Sequence, residues 1–246
     1  MSEVPLSQLS QRLSDLFAAD EFAAGFALGR HILRYFPRYI TVYQRMGLAA
    51  QSVGLFADSL DLLQRAVSAN PEDGEAWRAL YLAAAHLDLH PDAEVARGYA
   101  DDLDPAHPSE SAIARGHAAA AQQRWADAYR FYRSGLEQHP ERMDAALGLA
   151  EALFRLEQPK AAAAIARHVL QELPYALKAH LLILLTARTL NLTDFNPRRH
   201  RLAVRGLDPL GELSLTWFTA QELRGLLPKQ PSLPAWDETE RWAYAR

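Results

Sequence analysis

The chain has 246 residues, of which 49% are hydrophobic and 23% charged, enough apolar content for one large domain or two small ones and too much for general disorder. Its 26 basic and 30 acidic residues leave a formal charge of −4, too balanced for a chain that lives on nucleic acid or an anionic membrane. With no cysteine, disulfides, thiolate metal sites and cysteine nucleophiles are excluded.

The opening segment, MSEVPLSQLSQRLSDLF, lacks the basic start and unbroken apolar run of a secretory signal, so a cytoplasmic setting is expected. From about residue 6, Leu9, Leu13, Leu16, Gly25 and Ile32 lead to Pro37 as a first helical unit. YQRMGLAAQSV and LFADSLDLLQRAV follow, with apolar residues three and four apart, and predict two helices before Pro71. The prolines themselves form a ladder, Pro37, Pro71, Pro105, Pro140, Pro174 and Pro209, with steps of 34, 34, 35, 34 and 35 residues. Proline cannot continue a helix and disfavours helical geometry in the residue before it, so each rung marks a helix break and each interval a helix hairpin. The most apolar stretch, Leu177 to Leu190, is interrupted by Lys178, His180 and Arg188, falls short of a membrane span, and reads as a buried helix. After Pro209, GELSLTWFTAQELRGLL stands where a capping helix would sit. These features place residues 1–227 in one helical domain and 228–246 in a Pro- and Trp-rich tail. The tail is expected to be an extended arm whose Trp236 and Trp242 dock on the final helices of their own chain or on a neighbouring copy, since two exposed tryptophans would form a sticky patch.

A helix pair every 34 residues resembles the tetratricopeptide repeat, and the residues match one by one. Tyr43 fills the repeat's Trp slot, Met46 and Gly47 its Leu-Gly pair and Ala50 its Tyr slot, with Ser59, Leu63 and Ala66 at the second-helix spacing. Trp77, Leu80, Ala84, Ala93 and Ala100 keep register in the next unit, Gly116, Ala119, Trp125, Ala128, Tyr132 and Gly135 in the fourth, and Ala146, Leu149, Ala150, Leu153 and Ala162 in the fifth. The first and sixth units are weaker, as the ends of a solenoid should be. The resemblance implies an all-α, right-handed superhelix of about six helix pairs with a C-terminal capping helix. It also gives Gly47, Gly116, Ala93, Ala128 and Ala162 a packing role, as small residues that let helices approach beside Leu63, Trp125 and Tyr132.

Little in the chain points to chemistry. His86 and His90 are four apart, but His90 precedes Pro91 and belongs to a turn, so the one-face geometry of a metal pair fails; no metal and no cofactor are expected. No Gly-rich phosphate loop or Gly-x-Ser-x-Gly elbow occurs, and the chain is not expected to be an enzyme. From Glu72 to Asp104 nine acids face Arg78 and Arg97, a net −7, whereas Asp194 to Arg205 carries a net +3. Both read first as solvated helix faces; the functional reading of the basic run is a site for an acidic partner.

Proteins similar to this one hold an extended peptide or a partner's helix on the concave side, lined by the first helix of each pair. The register puts Gln44, Gln51, Arg78, His86, His117, Glu151 and Arg155 on that side outside the packing slots, with Arg78 and Arg155 as the expected polar anchors. The family's terminal-carboxylate clamp is not expected, because Asn70, Asn191 and Asn196 lie outside the first helices of units one to five and those helices hold no lysine. The chain is therefore read as a non-catalytic scaffold for a protein or peptide partner, with no nucleic acid and no membrane. Structural self-association, including a homodimer through the C-terminal segment, is the alternative, and a small-ligand sensor or accessory enzyme subunit comes third.

Overall fold

The computed structural model describes residues 3–106, 109–192, 196–227 and 231–236. Helices α1 (Leu6–Ala18) and α2 (Phe22–Tyr35) form the first pair, α3 (Ile40–Ser52) and α4 (Phe56–Ala69) the second, α5 (Gly74–His86) and α6 (His90–Asp102) the third. α7 (Ala112–Ala121) with α8 (Trp125–Gln138), α9 (Met143–Arg155) with α10 (Pro159–Glu172), and α11 (Leu177–Thr189) with α12 (Arg198–Leu207) complete six pairs. Consecutive helices pack on one another throughout, giving an all-α superhelix, and every rung of the proline ladder falls in a break between pairs. His90 opens α6 instead of lying in the turn, because Pro91 in a first helical turn forfeits no hydrogen bond. Among the described residues no helix is long and apolar enough to cross a membrane.

A second ladder lies inside the pairs. Asp20, Gly54, Asp88, Gln123, Glu157 and Asn191, again 34 or 35 apart, each adopt positive φ between +48° and +78° at the turn joining the two helices of a hairpin. The left-handed region is open to Gly and tolerated by Asp and Asn, but Gln and Glu meet their own carbonyls there. Glu157→Gly and Gln123→Gly are accordingly expected to stabilise the chain by about 0.5–1 kcal/mol each, the relief of that strain exceeding the added backbone entropy of glycine. Thermal denaturation checks this, and a fall in melting temperature for both would contradict it.

The ends of the superhelix meet. In α11 every residue from Leu177 to Ala187 is buried, so the sixth pair is the centre of the molecule and not a water-facing end. Its leucines share a core with Leu147, Val169, Val204 and Phe218, and also with Ile40 and Ala69 of the second pair. Each fully buried leucine contributes about 1.5–3 kcal/mol, so an apolar stretch this long gains far more between two halves than at an exposed edge. The seam is also polar: Tyr39, fully buried, donates to Glu212 Oε2 at 3.1 Å. Strand β1 (Glu3–Pro5) pairs antiparallel with β2 (Ser232–Pro234), Val4 opposite Leu233. Leu233 and Trp236 enter the core made by Leu6, Leu9, Leu13, Leu28 and Ile32. The arm thus docks on its own chain, at the first helices and not the final ones; Trp242 lies outside the described residues.

The capping segment is less helical than its pattern suggests. Only α13 (Ser214–Trp217) is helix, and turns follow. Thr219 and Glu222 close a reciprocal capping box, with Thr219 N to Glu222 Oε2 at 2.8 Å and Glu222 N to Thr219 Oγ1 at 3.2 Å. Gly225, at φ +77°, ends the turn that this box starts.

Tyr132 fixes the joint between the fourth and fifth pairs. Its ring, 1% exposed, lies between Gly116 and Gly148: a Cβ on Gly116 would sit 2.6 Å from Tyr132 Cδ1, and one on Gly148 2.6 Å from Cε2. The ring cannot swing away, since its hydroxyl is held by His117 Nδ1 at 3.0 Å. Gly148→Ala should therefore overpack the joint by about 1–3 kcal/mol, and adding Tyr132→Leu should recover part of the loss. Additive losses in urea denaturation of the single and double variants would contradict this account.

Candidate functional site

α7, α9 and α11 are first helices of successive pairs, so their inward faces line one surface, and the segment 215–219 covers its far end. Between them is a cleft of about 540 Å³ lined by Glu72, His117, Trp125, Tyr132, Glu151, Arg155, Lys178, Trp217 and Phe218, among others. Three of the seven residues that the register assigns to the concave side, His117, Glu151 and Arg155, converge here.

The other four do not join them. Arg78 is exposed and paired with Asp104 at 2.6 Å. His86 stacks on Phe56 with ring centroids 4.0 Å apart. Gln51 donates to the Ala79 carbonyl at 3.4 Å, and Gln44 is half-buried on the same helix, α3. All four belong to the second and third pairs, away from the cleft.

At the floor of the cleft one ammonium serves two carboxylates. Lys178 Nζ lies 2.8 Å from Glu72 Oε2 and 2.5 Å from Glu151 Oε2, with all three side chains nearly out of solvent. Burial alone would pull the lysine down, but Glu151 and Glu72 outweigh it and hold its pKa above the ordinary lysine value. Burial pushes Glu72 up, only partly offset by Lys178. Glu151 and Arg155, four residues apart on α9, belong to this buried group as well, 3.6 Å apart.

Arg155 forms the wall. Its guanidinium bonds Glu222 Oε1 at 2.5 Å and the Trp217 carbonyl at 2.9 Å, with its carbon 5.6 Å from the Trp125 ring centre and 5.2 Å from that of Phe218. Arginine suits this place because its planar fork can hold acceptors at the edge and aromatic rings at the face. Behind it, His117 Nε2 meets Asp144 Oδ2 at 3.1 Å, and Asp144 takes both Nε and Nη2 of Arg142 at 2.9 and 2.7 Å. Burial would raise Asp144, yet its bonds to His117 and Arg142 leave it below the usual carboxylate range. Arg142 also reaches Asp102 at the end of the third pair, so this network bridges the third, fourth and fifth pairs.

Sequence reasoning passed over Lys178, Glu72, Arg142 and Asp144. A signal was present: a lysine inside an apolar helix is buried only when paired. Among the described residues no three His, Asp or Glu converge as metal ligands.

Models of the tetratricopeptide repeat match residues 45–109 and 119–182, together about half of the chain. No curated protein sequence matches it significantly. Among solved structures, a tetratricopeptide repeat protein from Parabacteroides merdae is 15% identical, with 90% of this chain and 82% of that one covered and a TM-score of 0.38. YrrB, described as a repeat protein with an unusual peptide-binding site, is 12% identical over 76% of this chain and 96% of its own, at a TM-score of 0.38. PilF of Pseudomonas aeruginosa is 14% identical over 87% and 96%, at 0.37.

Proposed function

Since the chain belongs to the tetratricopeptide repeat family, whose members in general act as non-catalytic protein-interaction scaffolds, we propose that it holds a protein or peptide partner in the inner cleft. The observation that supports this most is the meeting of Arg155 with Trp125, Trp217 and Phe218 around one opening. Aromatic side chains beside an arginine, here held in place by Glu222 and the Trp217 carbonyl, are the residue types that dominate binding hot spots. The cleft takes one apolar or aromatic side chain of the partner between the tryptophans, with the partner's backbone or carboxylate along its rim. The setting is read as cytoplasmic and the ligand as protein, not nucleic acid.

The test starts from partners captured on the tagged chain from its native cell, each then titrated against purified variants. Trp125→Ala and Arg155→Ala are each expected to weaken the true partner by about 2 kcal/mol or more, some thirtyfold. If a partner binds both variants as it binds the parent, the cleft is not its site. A second reading, self-association, draws on the exposed Leu55, Leu82, Leu89 and Val95 of the second and third pairs, the last of these 60% exposed. A single monomeric species in sedimentation velocity at micromolar concentration would remove it.

A further inference from the structure

Two cavities that share no residue with the cleft lie side by side where the sixth pair closes on the second. The first, about 440 Å³, has Arg38, Tyr43 and Arg65 at its rim, and the second, about 580 Å³, is walled by Arg198 and Arg199; Arg38 and Tyr175 border both. Asp61 is the sole carboxylate among the lining residues, and Arg65 already takes it at 3.2 Å. Among the described residues Arg38, Arg198 and Arg199 form no carboxylate ion pair, although all three are exposed. This sets them apart from Arg78, Arg124, Arg142 and Arg155, each of which has an acid. The floor of the first cavity is apolar, from Ile40, Ala69 and Leu207.

From this geometry we infer a second binding groove, at the seam and independent of the inner cleft, for an acidic, extended peptide segment of a partner protein. Its carboxylates meet Arg38, Arg198 and Arg199, and the aliphatic side chains between them lie on the floor. Burial holds His180 down at about 4, with His200 and Arg199 lowering it further, and Arg199 adds to burial in lowering His200. The groove crosses from unit six to unit two only because the superhelix closes, so the basic run of α12 and Arg38, far apart in sequence, become one surface.

Peptide is favoured over nucleic acid for two reasons. One face of each aromatic ring that a base would stack on is already occupied, since Arg38 lies 4.8 Å over the Tyr175 ring centre and Arg65 lies 5.6 Å over that of Tyr43. The chain as a whole carries −4, which repels a long polyanion at a distance but leaves short-range pairing with a few carboxylates intact.

The probe is a fluorescein-labelled peptide of about ten residues mixing Glu and Leu, long enough at about 3.3 Å per residue to cross both cavities. Fluorescence anisotropy should show saturable binding to the full chain, weakened by salt and absent for the same peptide with Gln in place of Glu. The variant Arg38→Gln/Arg198→Gln/Arg199→Gln should bind about tenfold more weakly, whereas Arg130→Gln/Arg133→Gln on exposed α8 should not differ from the parent. Circular dichroism confirms that each variant folds. Three outcomes overturn the inference: no saturable binding, equal affinity in the triple variant, or a thymine oligonucleotide of equal charge binding as tightly as the peptide. Trp125→Ala separates the sites, since loss of the probe there would move the acidic peptide into the inner cleft and refute the groove.

Discussion

Lys178→Met will destabilise the fold by about 3–5 kcal/mol at pH 7, more than a core substitution of similar shape, because it leaves Glu72 and Glu151 facing each other without their shared cation. The methylene stem is kept, so packing changes little and the cost is electrostatic. Arg155, 3.6 Å from Glu151, offers only a weak substitute. The pH dependence carries the sign of this explanation. In the parent, Lys178 is held above the ordinary lysine value, so its contribution is complete at neutral pH and fades only in strong alkali. In the variant Glu72, already pushed up by burial, loses the cation that partly offsets that push, so stability is greatest in mild acid and is lost as pH rises through its folded pKa. The deficit should therefore shrink between pH 7 and pH 5. Removing the charges together, in Lys178→Met/Glu72→Gln/Glu151→Gln, should regain most of it. Urea denaturation at the two pH values decides: a cost below about 1 kcal/mol, or a deficit that grows in acid, would mean the three groups do not form a buried unit.

How far such a unit can be read in advance depends on the range of the physics behind it. The proline ladder was legible because proline acts on its own backbone and needs no partner. The left-handed ladder is equally regular, yet Gln123 and Glu157 disguise it, being residues that reveal nothing of positive φ. Repeats specify contacts with the next repeat, which is why the six pairs, Gly116 and the buried character of α11 could be anticipated. They do not specify how many units complete a turn. Lys178 finds Glu72 across 106 positions only because the superhelix closes, while Arg142 finds Asp102 across 40 by reaching past the fourth pair. Of the inner-face residues, His117, Glu151 and Arg155 come together because α7 packs on α9, whereas Gln44, Gln51, Arg78 and His86 stay with the earlier pairs. The cap was overestimated for a local reason, since Thr219 and Glu222 start a new turn where a continuous helix was expected.

Trp236→Ala will lower stability by about 3 kcal/mol and the melting temperature by roughly 6–12 °C for a chain of this length. The indole is 9% exposed within the core of α1 and α2, and Arg12 lies 5.3 Å from its ring centre. The backbone around it is tied as well: Leu6 N donates to the Pro231 carbonyl at 2.8 Å, and His31 Nε2 lies 3.0 Å from that of Pro234. Ending the chain at Leu227 removes Leu233 and the β1–β2 pairing besides the indole, so it should exceed Trp236→Ala while leaving the oligomeric state unchanged. A solenoid's stability is shared between neighbouring units, so the damage should stay near the arm. Hydrogen exchange in the truncated chain should accelerate across α1 and α2 and remain slow in α9 and α11, whose core the arm does not touch. An unaltered melting temperature would refute this docking, and loss of a dimer on truncation would assign the arm to a neighbouring copy.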